Sequence, residues 1–204
     1  MADKSGYETS RLENLWSGTF GEEYLSRNDL PFDYRSPFWN GLLERWPTTD
    51  ILEVGCNIGG NLKWLRSEDR RVVGVDINRA ALETLRGRYE DVAVSVAAAR
   101  DLPFQDGEFG LVFTAGVLIH QPDESLHEVM AEMVRCSSRY VLCLEYYAPE
   151  STEVGYRGQS GALFKRDYRS LFLDNFPLTE LDQGFLSKEA SGWDDVSWWM
   201  FEKM

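Results

Sequence analysis

The sequence predicts an α/β fold: a doubly wound, mostly parallel sheet with a C-terminal antiparallel strand pair and an N-terminal helical lid. Three observations carry this. Between residues 50 and 146, apolar runs of strand length alternate with segments whose apolar residues recur at helical spacing, the pattern of right-handed crossovers. The first such run, Asp50 to Val54, opens into a glycine-bearing turn, Gly55-Cys56-Asn57-Ile58-Gly59-Gly60. Two last runs, Leu178 to Phe185 and Val196 to Lys203, lie too close in sequence for a helical crossover and so pair antiparallel.

The elements follow in order. Residues 1 to 10 are polar and expected to fray. Leu12, Leu15, Trp16, Phe20, Tyr24 and Leu25 give two short helical pieces with an aromatic face, a lid that can lay Trp16, Phe20 and Tyr24 over a ligand and bring Arg27 in as a cation. Pro31 and Pro37 bracket a turn, and Phe38 to Trp46 is helical. Strands are predicted at Asp50 to Val54, Arg71 to Asp76, Val92 to Val96, Phe109 to Ala115 and Tyr140 to Leu144. The last is apolar throughout, and therefore central. Helices start at Asn61, at Asn78 (a side-chain cap) and at Pro122-Asp123, the last carrying Leu126, Val129, Met130, Met133 and Val134 on one face. Residues 148 to 165 form a turn-rich loop, and Lys165 to Asn175 a helix. The division is a helical lid at 1–48 and one compact domain at 49–204.

Composition bounds the function. The net charge of −13 makes nucleic acid and anionic membranes poor partners, because binding phosphate needs clustered Lys and Arg. Cys56, Cys136 and Cys143 have neither metal-ligand nor disulfide spacing, so no metal is expected and a reducing cytoplasm is. No signal peptide and no membrane-spanning run is apparent. A monomer and a homodimer both remain open.

Four features fall at the carboxyl ends of predicted strands, where doubly wound sheets place ligands. The glycine turn brings Glu53, Gly55, Asn57 and Gly59 to a helix start, with backbone N–H groups free to meet a ligand. Asp76 closes the second strand, where an acid can accept hydrogen bonds from both hydroxyls of a ribose. Arg100, Asp101 and Leu102 follow the third strand, where an adenine fits. Gly116 to His120 follow the fourth and face the reacting end.

Glu53-Val54-Gly55-Cys56-Asn57-Ile58-Gly59, Val75-Asp76, and Asp101-Leu102-Pro103-Phe104 before Phe109-Gly110-Leu111-Val112-Phe113 resemble, in that order and spacing, the motifs of class I S-adenosylmethionine-dependent methyltransferases. The resemblance implies a Rossmann-like fold and S-adenosylmethionine as cofactor. Its methionine portion would lie in the glycine turn, its ribose on Asp76 and its adenine between Ile77 and Leu102. Tyr24, Arg27, Arg100 and Gly116 complete the implied cofactor site. Asn57 stands where a glycine is usual, Ala98 where an acid often precedes the loop, and Gly110 where an Asp is common; Arg100, Asp101 or backbone groups are then left to meet the adenine amine. The outer segments resemble a narrower group, the small methylases found with pseudaminic acid biosynthesis clusters. Those segments are Leu15 to Tyr24 with Arg27-Asn28, Gly116 to His120 with Pro122-Asp123, Glu145 to Pro149, and Tyr156 to Tyr168. A dinucleotide-dependent redox reading fails at Asn57, where that fingerprint needs its middle glycine.

Methyl transfer to an amine or hydroxyl needs alignment and a proton acceptor. His120 is the candidate base or acceptor-orienting group, with a structural histidine capping the next helix as the alternative; His127 is read as surface or core. Tyr146 and Tyr147 are candidate pocket walls. Arg157, with Lys165 or Arg166, is the candidate for an anionic group on the acceptor. The expected acceptor is a small, polar, anionic metabolite: a sugar, nucleotide-sugar or secondary-metabolite intermediate. The competing reading is a non-catalytic cofactor-binding partner or regulator of a biosynthetic enzyme.

Overall fold

A computed structural model of the chain describes residues 6–27 and 33–204. Its strands are β1 (Asp50–Val54), β2 (Arg71–Asp76), β3 (Ala93–Val96), β4 (Phe109–Ala115), β5 (Ser137–Glu145), β6 (Thr152–Glu153), β7 (Phe164–Lys165), β8 (Leu178–Leu186) and β9 (Val196–Lys203). Seven of them form one sheet in the order β3-β2-β1-β4-β5-β9-β8. The first five run parallel, while β9 is antiparallel to both β5 and β8. The predicted C-terminal pair therefore extends the main sheet. The order reverses between β1 and β4, which creates the crevice where such sheets bind ligands.

The helices are α1 (Tyr7–Ser17), α2 (Thr19–Arg27), α3 (Ser36–Arg45), α4 (Leu62–Leu65), α5 (Arg79–Arg88), α6 (Asp123–Cys136), α7 (Tyr168–Asn175) and α8 (Lys188–Ser191). Alternation along each strand divides the core into two layers. Leu52, Val54, Val73, Val75 and Val112 pack with Met130 and Met133 of α6 and Phe172 of α7. Ile51, Leu111 and Phe113 pack with Trp39 of α3 and with Leu82 and Leu85 of α5. The expected cap at Asn78 is present: its side chain accepts the N–H of Ala81 at 3.1 Å. Gly110 answers to packing, since a Cβ there would stand 2.1 Å from Thr48 Oγ1.

Several sequence expectations need correction. The helix read from Lys165 begins only at Tyr168, because the Asp167 carboxylate accepts the Ser170 N–H at 3.0 Å and caps it there. Lys165 and Phe164 instead pair antiparallel with β6, inside what reads in sequence as plain loop. Residues 7 to 10 are helical rather than frayed. Pro37 lies in the first turn of α3, where its missing N–H costs nothing. Pro31 and Asn28 fall outside the described residues. Among the described residues, no helix is long and apolar enough to cross a membrane.

Candidate functional site

A cavity of about 180 Å³ lies over the carboxyl ends of β1, β2 and β4. Residues 53–58, 60, 61, 75–77, 97–100, 115–117, 120 and 121 form its floor, and Thr9, Leu12, Glu13 and Trp16 of α1 with Tyr24 of α2 form its roof.

The glycine turn is shaped by left-handed backbone at Gly55 (φ 74°), Asn57 (φ 49°) and Gly59 (φ 81°). Asparagine is among the few side chains that tolerate this region, which is how Asn57 replaces a glycine. A Cβ on Gly55 would stand 2.3 Å from Val117 Cγ2, so this glycine admits a neighbouring loop as much as any ligand. Gly59 packs toward Leu85, and Gly60 lines the cavity in its place.

Asp76 accepts the Asn57 N–H on Oδ2 and the Asn78 N–H on Oδ1, both at 2.8 Å. Burial raises its pKa above the ordinary value, while those N–H groups and that of Ile77 pull it back. Each oxygen keeps further acceptor capacity toward the cavity. Glu53 is 2% exposed, and its Oε1 accepts Asn61 Nδ2 at 2.6 Å. Asn61 Oδ1 in turn accepts Arg35 Nη1 at 2.8 Å. Burial pushes the Glu53 carboxyl up to about 8, opposed by the Asn61 bond, and Oε2 has no hydrogen-bond partner among the described residues.

After β4, the single-turn segment Leu118–His120 follows Gly116. His120 is buried, with Nδ1 2.5 Å from the Ala162 carbonyl. A carbonyl only accepts, so Nδ1 carries the proton and Nε2 is the ring's acceptor. Burial lowers the His120 pKa to about 4, against the opposing effect of the Ala162 bond, so the ring is neutral near pH 7. It lies 4.4 Å from the Trp16 ring and 5.2 Å from Tyr156; Trp16 meets Phe20 and Tyr24 edge-on at 5.3 and 5.4 Å. Burial pushes Tyr24 up to about 12.

Of the residues singled out by sequence, Tyr24, Glu53, Gly55, Asn57, Asp76, Ile77, Arg100, Gly116 and His120 line the cavity together. Arg100 does so while ion-paired to Glu13 of α1 at 2.7 Å. Asp101 is exposed and Leu102 is buried in the core, its N–H bonded to Glu132; neither lines the cavity. Tyr146 gives its hydroxyl to Asp194 at 2.7 Å, and Tyr147 is 46% exposed. Arg157 is exposed at the tip of a tight turn closed by Tyr156 and Gln159, in left-handed backbone (φ 50°), with its guanidinium 5.9 Å from the Tyr156 ring. Lys165 lies 5.7 Å from the Tyr146 ring. Arg166 is buried and paired with Asp123 at 2.7 Å, and it does not line the cavity. His127 stacks on Phe176 at 5.3 Å. The Arg27 side chain is outside the described residues.

Sequence reasoning missed Arg35, Asn61 as the partner of Glu53, and Glu145. Arg35 lines the cavity and spans from Asn61 to the Trp193 ring, 4.6 Å away. Glu145 is fully buried at the end of β5 and accepts the N–H groups of Val117, Leu118 and Ile119 at 3.1–3.2 Å. Burial pushes its carboxyl up to about 7, those N–H groups pulling it back. An acid at a strand end is the only local signal for it.

Residues 51–139 match a family model described as a methyltransferase domain. Among curated relatives, the methyltransferase GfsG of Streptomyces halstedii is 36% identical over 92 residues, 42% of this chain and 32% of that one. A probable S-adenosylmethionine-dependent methyltransferase of Mycolicibacterium smegmatis is 30% identical over 101 residues, 50% of this chain and 39% of that one. The matches thus span 32% and 39% of these relatives' length. Among solved structures, the Burkholderia thailandensis 1,6-didemethyltoxoflavin-N1-methyltransferase, with bound 1,6-didemethyltoxoflavin and S-adenosylhomocysteine, superposes with a TM-score of 0.74. It is 15% identical and covers 100% of this chain and 92% of that one. The sheet order, the strand-end cavity and this superposition show the Rossmann-like fold of such methyltransferases, and residues 51–139 of the chain match a methyltransferase-domain model.

Proposed function

We propose that the protein transfers the methyl group of S-adenosylmethionine to an O–H or N–H of a small, polar, anionic metabolite. One observation carries the reading. His120, neutral and with Nε2 as its acceptor nitrogen, lines the same cavity as the buried carboxylates Glu53 and Asp76. The unpartnered Glu53 Oε2 fits a cationic ammonium, and Arg35 nearby fits a carboxylate, the two charged ends of the methionine portion. Asp76 fits the ribose hydroxyls, and the small residues Ala97, Ala98 and Ala99 leave room beside Ile77 for a base. Bound there, the sulfonium supplies an already activated methyl group.

The chain's own part is alignment, exclusion of water and proton removal. The lid covers the cavity with Leu12 and Trp16, and His120 takes the acceptor's proton at Nε2. Arg157 has no carboxylate partner among the described residues, which in so acidic a chain suits it to an anionic group on the acceptor. The resemblance of the outer segments to methylases of pseudaminic acid clusters supports a sugar, nucleotide-sugar or secondary-metabolite acceptor, with residues 1–48 acting as lid to the domain at 49–204.

Mass-spectrometric screening of such intermediates for the gain of one methyl group tests the proposal. His120→Ala should lower kcat by about 10²- to 10⁴-fold. Arg157→Ala should raise KM about 10-fold. Full turnover in both variants would remove the site assignment. Asp76→Ala should weaken S-adenosylhomocysteine binding by about 1.5–3 kcal/mol in calorimetry, through lost hydrogen bonds to a charged acceptor.

A further inference from the structure

We infer that Glu145 is a positioning residue for His120, gathering three consecutive backbone N–H groups so that the turn presents the imidazole in one orientation. The inference rests on reading His120 as the group that takes the acceptor's proton.

A fully buried carboxylate is tolerated only where donors replace its water shell. Here three backbone donors come from one place: Oε1 accepts Val117 and Leu118 at 3.2 and 3.1 Å, and Oε2 accepts Ile119 at 3.2 Å. These N–H groups open the single helical turn Leu118–His120 and have no partner within it. Three convergent amides around one anion make a nest, a rigid arrangement that both oxygens are needed to hold. Glu145 does not line the cavity, so its route to the chemistry runs through the turn.

The second hold on the ring comes from the segment that leaves β5 immediately after Glu145. Its Ala162 carbonyl accepts the Nδ1 proton, and the neighbouring carbonyls of Ser160 and Gly161 accept Arg11 Nη2 from the lid at 3.2 and 3.0 Å. The imidazole is thus fixed through its backbone by Glu145 and through Nδ1 by Ala162. With both in place, Nε2 keeps its lone pair and its direction.

Glu145→Gln keeps one accepting oxygen and turns an NH₂ toward the donors. In that variant, hydrogen exchange of the Leu118 and Ile119 amides should speed up roughly 10- to 100-fold. In ¹⁵N-histidine NMR spectra, the His120 titration should rise by about one pH unit or more toward its ordinary value as the ring gains water, and the Nδ1-protonated tautomer should lose dominance. Glu145→Asp, which keeps the charge, should restore part of both. A folded Gln variant with unchanged His120 titration and tautomer overturns the inference and leaves Glu145 only a structural role. If the Gln variant does not fold, the wild type decides. Slow exchange at Val117, Leu118 and Ile119 with a single Nδ1-protonated tautomer is expected; exchange at those amides as fast as in an open loop overturns it. These readouts need no acceptor substrate. Methyl transfer surviving His120→Ala would therefore defeat the catalytic reading separately.

Discussion

Glu53 and His120 are both buried and both neutral near pH 7, but the charge each withholds has a different use. Glu53 is held protonated by desolvation, with one oxygen unpartnered. A cationic ammonium beside it reverses that balance. Binding of S-adenosylhomocysteine at pH 7 should therefore release close to one proton, measurable by calorimetry in buffers of different ionisation enthalpy, and Glu53→Gln should abolish the release. Buffer-independent binding heats would mean that Glu53 stays uncharged in the complex. His120 has a folded pKa of about 4 against an ordinary 6.5. As pH falls below 6.5 the unfolded chain takes up a proton that the folded protein cannot, so this contribution to stability is whole above 6.5 and lost on the way to 4. Between pH 7 and 4 the Tm of His120→Gln should accordingly fall less than that of the wild type, as followed by circular dichroism. Asp76 and His120 stand in sequence where their strand ends place them. Arg35 does not, because its approach to Asn61 and Trp193 depends on how α3 docks.

Among the elements, α1 touches both sides of the cavity. Trp16 packs on His120, its carbonyl accepts Asn78 Nδ2 at 3.0 Å beside Asp76, and Glu13 of the same helix pairs with Arg100. Such exposed ion pairs contribute little, so the hold lies in the aromatic ring. Trp16→Ala should speed dissociation of S-adenosylhomocysteine about 10-fold or more in stopped-flow measurements, in proportion to the buried surface removed, with little change in Tm. An unchanged off-rate would mean that the roof opens without moving α1. Periodicity reveals the lid's aromatic face but cannot show that Trp16 meets His120. The start of α7 is a case of the opposite kind: Asp167 is a cap legible in sequence, yet the apolar rhythm from Lys165 onward conceals it.

At the scale of the whole molecule, the carboxyl ends of β1, β2, β3 and β4 bring four stretches of chain together, and α1, α2 and Arg35 join the same cavity. Buried apolar layers cover both faces of the sheet beneath it. Trp39 has no exposure and packs at 4.7 Å on Phe113 of β4, so α3 is anchored into the layer under the glycine turn. Trp39→Ala should cost about 3–5 kcal/mol in urea unfolding, the usual range for emptying so large a buried site. A loss below 1 kcal/mol would show that α3 is a detachable flap. The strand–helix alternation, the glycine turn and Asp76 were determined by the sequence alone, because each is written in neighbouring residues through periodicity, turn chemistry or strand ends. Only the tertiary structure decided which charged groups serve the site. Asp123 draws Arg166 aside, Asn61 links Arg35 to Glu53, and Glu145 closes on the turn before His120. The physical reason is that a buried charge is settled by whichever partners the packing of distant elements brings within hydrogen-bond reach, and local sequence does not record that distance.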